Sequence, residues 1–268
     1  MATKDKFENF GIEVFGDPVT LGRLAVPLAI IIVWEALSLW LGADTLPGPV
    51  ETLEVINQGI AEGWMIPNLI NTLVTVVIGF IIASIVGFVL GVELGLHDMA
   101  HDLFEPFVLN TYAIPKIVLF PLFLFVFKLG IDQKIVFGAF HGVFPMLIIT
   151  MGAVREIPST YLNIGRSLRL TRRQQAQHII FPSVLIHLVV GLRLAFSLTF
   201  LGVILAELFA AKSGIGLQLR HAMTTYTTGK IMAIVTVLMV VAFVGNVAFY
   251  AVQRLLEKRW NLTAEDTV

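Results

Sequence analysis

The sequence predicts an all-α, polytopic membrane protein with about six transmembrane helices. Hydrophobic residues make up 57% of its 268 residues and charged residues only 14%, whereas soluble domains carry about 25% charged residues. Several apolar runs reach the roughly 20 residues that a helix needs to cross the hydrocarbon core of a bilayer. Helices are the predicted spans, because lipid cannot satisfy exposed backbone groups and these runs lack the alternation of barrel strands.

A charged leader at residues 1–20 precedes the first span. It is predicted to be cytosolic, because no A-x-A cleavage site of a signal peptide follows it. The membrane domain is expected over residues 21–260, with a cytosolic tail at 261–268. Its predicted spans are residues 21–41, 69–96, 103–127, 135–154, 183–211 and 231–255. We expect Pro115 and Pro121 to break the third span.

The distribution of charge predicts the orientation of the chain. The outer loop 42–68 has four acidic residues and no Lys or Arg. The segments predicted to be cytosolic hold most of the basic residues: Lys4, Lys6, Arg23, Arg155, Arg166, Arg169, Arg172, Arg173, Arg254, Lys258 and Arg259. The positive-inside rule therefore favours an orientation with both termini in the cytosol. The net charge of −1 gives no case for nucleic acid, and the absence of cysteine excludes disulfides and thiolate metal sites.

The inner loop 155–182 is long and basic, which is typical of a functional segment. Ser159 or Thr160 can begin one short helix. Thr171 is a good N-cap for a second helix, which is predicted to reach Ile180 and to end near Pro182. Two amphipathic helices beneath the membrane domain would form a docking platform for a soluble partner, or would rest on anionic headgroups.

The spacing at the end of this loop resembles the cytosolic signature of permease subunits of ATP-binding-cassette (ABC) importers. That signature reads E-A-A, three residues, G, nine residues, I-x-L-P. The matching positions here are Asn163, Ile164 and Gly165 for E-A-A, Arg169 for the glycine, and Ile179, Phe181 and Pro182 for the end. Arg tolerates a positive φ less readily than Gly. Either the turn is built differently, or Arg169 forms an ion pair with its ATPase.

Further motifs resemble the nitrate, sulfonate and taurine branch of that family. In order they are Leu46-Pro47-Gly48-Pro49 before a short acidic helix, Ala113-Ile114-Pro115-Lys116, Leu119-Phe120-Pro121-Leu122, Gly191-Leu192-Arg193, Ala206-Glu207 and the external turn Ser213-Gly214-Ile215-Gly216. The resemblance covers about residues 45–260.

This resemblance implies the fold of a type I ABC importer permease in a bacterial inner membrane. Two permeases, by default identical, form the pore as a dimer. Two cytosolic ATPases hold ATP and Mg²⁺, and an external solute-binding protein delivers a small polar solute, by analogy an anion of the nitrate, sulfonate or taurine class. This chain would bind no cofactor. The coupling residues would be Asn163, Ile164, Gly165, Arg169, Thr171, Arg172, Arg173, Ile179, Phe181 and Pro182.

Four ionisable residues inside the predicted spans are candidates for the substrate pathway: Lys116, His141, Arg193 and Glu207. Arg193 and Glu207 are separated by nearly four helical turns, so they face the same way, roughly 21 Å apart. They line the pore or pack against another span, with a structural or gating role favoured. Lys116 meets an anion, snorkels or pairs with an acid. His141 is more typical of a helix-to-helix hydrogen bond than of a ligand site.

Other patterns argue against catalysis and metal binding. The sequence around Gly229-Lys230 lacks the preceding glycine of a phosphate-binding loop, so ATP hydrolysis is expected on another chain. His97 and His101 have a spacing that can bind zinc, but a polar turn is favoured there. Glu35 and His187 are expected to contact neighbouring helices. The alternatives to an ATP-driven importer are an ion-coupled secondary transporter, which would show two related halves, and a passive channel.

Overall fold

The computed structural model describes residues 18–259, without the side chains of residues 18–24, 172 and 257–259. The predicted leader and tail therefore lie almost wholly outside the described residues. Within them the chain is helical and contains no strand. The α-helices are α1 Pro18–Leu41, α2 Pro49–Ala61, α3 Met65–Leu96, α4 Asp98–Ala113, α5 Phe120–Phe127, α6 Ile131–Arg155, α7 Ser159–Ser167, α8 Arg172–Gln175, α9 Phe181–Phe209, α10 Ile215–Thr224 and α11 Thr228–Arg259.

The described chain forms two compact units, of which the smaller comprises residues up to 62 together with 222–236. In this unit the Trp34 indole N–H donates to the Pro47 carbonyl at 2.9 Å, which fixes the entry to α2. The short acidic helix predicted after Gly48 is confirmed as α2. Its first turn is capped where the Gly48 N–H donates to the Glu51 carboxylate at 3.2 Å. Glu35 lines a cavity of about 350 Å³ together with Glu51.

The larger unit, residues 63–221 with 237 onward, is centred on α3, α6 and α9. Lipid offers no hydrophobic drive between helices, so close backbone approach through small residues holds such helices together. Along α3, Gly87, Gly91 and Gly95 recur every four residues and are buried. A Cβ atom at any of these three positions would lie 2.7 Å from a side-chain atom of α6. We call these three residues the glycine stripe.

The third predicted span is bent sharply. Its two parts, Asp98–Ala113 and Lys116–Phe127, meet at 89°. Ile114 adopts an extended conformation, with ψ 133°, because the ring of Pro115 disfavours a helical residue before it. Pro121 lies in the first turn of α5, where a missing N–H costs nothing. The predicted break is present at Pro115, whereas at Pro121 a 3₁₀ turn, Lys116–Leu119, passes into α5 without a second sharp bend.

The all-α, multi-pass fold is confirmed. Among the described residues, four helices are long and apolar enough to cross a bilayer, and the bent pair adds a fifth if it forms one span. The first predicted span, residues 21–41, lies within α1, and its apolar stretch among the side chains that the structure describes is Ala25–Leu41.

Candidate functional site

A buried ion pair lies between α6 and α9. The Lys134 ammonium is 3.0 Å from Glu207 Oε1, and the two side chains are 2% and 0% exposed. Lys134 also donates to Asn71 Oδ1 at 2.8 Å, and the Thr72 hydroxyl donates to Glu207 Oε2 at 2.8 Å. Such a pair is tolerated in an apolar core only when further hydrogen bonds satisfy both charges, and these contacts supply them.

The ion pair holds the turn 213–216 in place. Lys134 Nζ donates to the Ser213 carbonyl at 3.1 Å. Three backbone N–H groups of the turn donate to side chains of α3 and α9: Gly214 to Asn68 Oδ1 at 3.1 Å, Ile215 to Thr72 Oγ1 at 2.9 Å and Gly216 to Glu207 Oε2 at 3.0 Å. The carboxylate thus also lies at the N-terminus of α10, where the helix dipole favours negative charge. We call this network of Lys134, Glu207 and the turn the polar clamp.

Gly214 has φ +114°, and a Cβ there would overlap the Glu207 carboxylate. Both its backbone conformation and its close approach to α9 require glycine.

Sequence reasoning singled out Glu207 but missed Lys134. Lys134 lies one residue before the predicted fourth span, residues 135–154, whereas the helix begins earlier, at Ile131. An unpaired carboxylate inside a span needs a cation, and that requirement was the available signal.

Arg193 and Glu207 lie on the same uninterrupted helix, α9. Arg193 is half-buried, whereas Glu207 is fully buried. The ion-pair partner of Glu207 is Lys134, which makes the role of Glu207 in this structure that of an anchor. A role for Arg193 in the substrate pathway stays a prediction.

Lys116 lies directly after the bend of the third span. Its ammonium donates to the Tyr112 carbonyl at 2.9 Å. It also lies 4.5 Å from the centre of the Tyr112 ring and 5.2 Å from that of Phe144. Aromatic faces attract cations, so two rings and a carbonyl hold this half-buried charge.

His141 is buried, with 6% exposure. Its Nδ1 donates to the Phe137 carbonyl of its own helix at 2.9 Å. The ring packs against α9 so closely that a Cβ at Gly202 would lie 2.9 Å from it. The contact between helices that the sequence predicts is present as packing, and the hydrogen bond is local.

The segment 155–182 contains the two predicted helices. The first, α7, begins at Ser159 as expected. It ends in a tight turn in which Leu170 N–H donates to the Gly165 carbonyl and Arg169 N–H to the Arg166 carbonyl. This hydrogen-bond pair defines a Schellman motif. Arg169 occupies its left-handed position with φ +53°, so the conformation that a glycine would favour is retained with arginine in its place.

Thr171 caps the second helix, as predicted. Its hydroxyl accepts from the Gln174 N–H at 3.4 Å, and the Gln174 side chain accepts from the Thr171 N–H at 2.9 Å, which forms a capping box. The helix does not end near Pro182. It passes through a π-helical turn, Ala176–Ile180, and continues into α9, so that residues 173–209 form one helix.

Pro182 does not stop the helix, and the reason is local. It lies directly after the π turn Ala176–Ile180, where the regular hydrogen-bond ladder of the helix is already interrupted. In the next residue, the Ser183 hydroxyl donates to the Ile179 carbonyl at 2.6 Å. One of the carbonyl groups of the disturbed turn is thereby satisfied.

One face of α7 carries exposed apolar side chains. Tyr161, Ile164 and Leu168 are 55%, 50% and 67% exposed, and their spacing places them along one side of the helix. We call them the apolar stripe. Gly165, which follows Ile164, is buried; a Cβ there would lie 2.8 Å from Ile179, so this glycine lets α7 pack against the π turn.

The other predicted coupling residues differ in exposure. Asn163, Arg169, Arg173 and Phe181 are exposed, while Ile179 and Pro182 are half-buried. The side chain of Arg172 lies outside the described atoms.

Polar contacts join helix ends near segment 155–182. Arg155, at the end of α6, forms an ion pair with Asp98, at the start of α4. His187 Nε2 lies 3.6 Å from a Glu156 carboxylate oxygen. His101 lies 3.3 Å from Asp102. Among the side chains that the structure describes, no three His, Asp or Glu residues converge as metal ligands would.

The bundle of long apolar helices with an amphipathic segment running into a span defines the class of α-helical, multi-pass membrane proteins. Its fold is similar to that of the MetNI methionine ABC transporter in inward-facing conformations, with a TM-score of 0.64, 16% identity and coverage of 71% of this chain and 95% of that chain. Residues 79–262 match the family described as binding-protein-dependent transport system inner membrane component. The chain belongs to this family of ABC transporter permeases.

Relatives within the family are named as transport permeases. The nitrate import permease protein NrtB of Synechococcus elongatus is 27% identical over 224 residues, which cover 80% of each chain. The putative aliphatic sulfonates transport permease protein SsuC of Escherichia coli is 30% identical over 237 residues, covering 88% of this chain and 89% of SsuC. The resemblance to an importer permease of the nitrate, sulfonate and taurine type is thereby confirmed.

Proposed function

We propose that this chain forms the translocation pathway of an ATP-driven importer and that segment 155–182 couples it to cytosolic ATPase subunits. The observation that carries the proposal is the single helix of residues 173–209. A helix that begins in the amphipathic segment and continues as a span transmits displacement of one end to the other. Membership of the binding-protein-dependent family supports a transport role.

The apolar stripe is the proposed contact with the ATPase. An amphipathic helix docks by laying its apolar face into a hydrophobic groove, and Ile164 lies at the centre of this stripe. ATP and Mg²⁺ would be held by the ATPase, while this chain supplies the docked helix. Closure of the ATPases would then shift the spans between two access states.

The proposed assembly contains two copies of this permease, two ATPases and an external solute-binding protein. It would lie in a bacterial plasma membrane with both termini in the cytosol, an orientation supported by the positive-inside rule. In that orientation segment 155–182 faces the ATPases, and the polar clamp lies on the side of the binding protein.

The proposed solute is a small polar anion. This proposal is supported by the names of relatives for nitrate and aliphatic sulfonates. Lys116 is the leading candidate for contact with the anion, because it is a half-buried cation beside the bend of the third span. Arg193 and His141 are further proposed members of the pathway.

Ile164→Asp tests the coupling. A charge in the middle of the apolar stripe should abolish copurification of the ATPase and uptake of isotope-labelled nitrate and taurine, while the permease still accumulates in the membrane. Leu129→Asp is the matched control, because Leu129 is also about half exposed (47%) and lies in the loop before α6, away from segment 155–182.

Uptake that persists in Ile164→Asp, or when the ATPase is inactivated, would contradict the proposal. Uptake that depended instead on an ion gradient would indicate a secondary transporter, and uptake without any energy source would indicate a channel.

A further inference from the structure

A cleft of about 510 Å³ opens beside the start of the long helix that contains α9. Three elements form its walls: the last turns of α3, the middle of α7, and the junction between α8 and the π turn. The lining residues are Val92, Glu93, Leu96, His97, Leu162, Arg166, Arg173, Gln175, Ala176 and Ile180.

The floor of the cleft is apolar. Val92, Leu96 and Leu162 pack against a buried cluster that includes Ile180 and Val184. The floor is therefore supported by buried side chains, and its apolar surface lies level with the end of the span α3.

The rim of the cleft is basic. The Arg166 and Arg173 side chains are both exposed, and the Arg166 guanidinium contacts Asn163 Oδ1 at 3.5 Å, the long limit of a hydrogen bond. The one carboxylate at the cleft, that of Glu93, lies 3.8 Å from His97. Two guanidinium groups against one carboxylate leave the rim positively charged.

The π turn gives the cleft part of its shape. A π turn inserts one extra residue per turn, is rare, and often occurs at functional sites. Ala176 and Ile180, the first and last residues of this turn, both line the cleft. The small side chain of Ala176 leaves the entrance open.

We propose that this cleft binds an anionic phospholipid. The headgroup phosphate would lie between Arg166 and Arg173, because guanidinium groups pair with phosphate through two parallel hydrogen bonds. One acyl chain would lie on the floor formed by Val92, Leu96 and Leu162. Basic pockets between spans at the cytosolic surface suit anionic headgroups, and the orientation predicted from charge places this cleft at that surface.

Retention of lipid by the purified full-length chain tests this proposal. The wild-type protein, purified with equal amounts of phosphatidylglycerol and phosphatidylcholine, should retain phosphatidylglycerol when observed by native mass spectrometry. Arg166→Gln and Arg173→Gln should each lower this retention about fivefold, as expected for one basic residue near an anionic surface. Lys212→Gln, which removes an exposed cation outside the cleft, should retain the lipid as the wild type does.

Ala176→Phe provides a test that leaves the charge unchanged. A ring at this position should obstruct the entrance and lower the retention of phosphatidylglycerol while both arginines remain. Equal retention of the two lipids by the wild type, or unchanged retention in the Arg166→Gln/Arg173→Gln double variant, would overturn the proposal. Binding of inorganic phosphate that requires the two arginines, without retention of phosphatidylglycerol, would also overturn it and would indicate a soluble anion.

Discussion

Lys134 and Glu207 stabilise the structure through more than their mutual attraction. The carboxylate accepts from the Thr72 hydroxyl and the Gly216 N–H, and the ammonium donates to Asn71 and Ser213. Removing one partner of a buried pair leaves the other charge without compensation, which is the costly case. Both partners of the polar clamp are therefore required together.

We expect Glu207→Ala and Lys134→Ala each to lower the free energy of unfolding by about 3–5 kcal/mol. Thermal unfolding in detergent measures the effect, with Lys212→Ala, at an exposed position, as the control. The charge-swapped double variant Lys134→Glu/Glu207→Lys should not recover stability, because a lysine at 207 cannot accept from Gly216 and Thr72. Full recovery by the swap would show that attraction between the two charges alone is what matters.

Arg169 is held in a left-handed conformation that costs an L-residue about 1–2 kcal/mol. Arg169→Gly should therefore raise the thermal stability of the permease. If Arg169 forms an ion pair with the ATPase, the same variant should copurify less ATPase. A more stable permease with unchanged ATPase association would show that arginine at this position has no role in docking.

Single residues were predicted unevenly from the sequence. Local features such as the Thr171 cap and the identity of Glu207 as an intramembrane acid were recognisable, because each depends on neighbouring residues or on its presence in an apolar run. The partner of Glu207 could not be recognised in this way, since Lys134 is 73 residues away in the chain and no local pattern encodes that contact.

The glycine stripe sets the distance between α3 and α6. At Gly91 a Cβ would lie 2.7 Å from the Thr150 Cβ and 2.8 Å from the Leu147 carbonyl oxygen. Because one obstacle is backbone, the helices must separate to admit a methyl group. Gly91→Ala should thus destabilise the protein by about 1–3 kcal/mol, the usual cost of overpacking.

Gly152→Ala on α6 is the matched control for this prediction. No atom lies within 4 Å of a Cβ at that position, and alanine is the better helix former by about 1 kcal/mol. The control should be as stable as the wild type or more stable. Equal effects of the two substitutions on the melting temperature would refute the packing argument.

Helices were the best-predicted elements, because long apolar runs leave the backbone no alternative in lipid. Their junctions were less predictable. A proline follows the end of α4 at Pro115, yet Pro106 lies inside α4 and Pro145 inside α6, so the residue type alone does not locate a helix end. The π turn has no sequence signal that we recognised.

At the scale of the whole molecule, the predicted orientation can be tested directly because the chain contains no cysteine. Ser167→Cys in segment 155–182 should react with a membrane-impermeant maleimide only in inverted vesicles. Lys212→Cys, beside the polar clamp, should react in intact cells. The opposite pattern of labelling would place segment 155–182 outside and remove the basis for coupling to a cytosolic ATPase.

The class of the whole molecule was predictable, because motifs spread along most of the chain agreed in order and spacing. Among the described residues, the number of spans depends on whether the bent pair Asp98–Ala113 and Lys116–Phe127 forms one span. The solute depends on a few side chains in the pathway, and neither composition nor periodicity specifies their geometry.

The helix of residues 173–209 has its two ends in different surroundings: one lies among the amphipathic segment, and Glu207 near the other end fastens the turn 213–216. Thermodynamic reciprocity follows for any two ligands that each favour one position of this shared rod. A protein that binds at the turn 213–216 would change the affinity of α7 for its own partner by a certain factor. Binding of that partner would change the affinity of the turn for the first protein by the same factor. Either affinity, measured with and without the other partner, would therefore give the same coupling factor, whichever side of the membrane is studied.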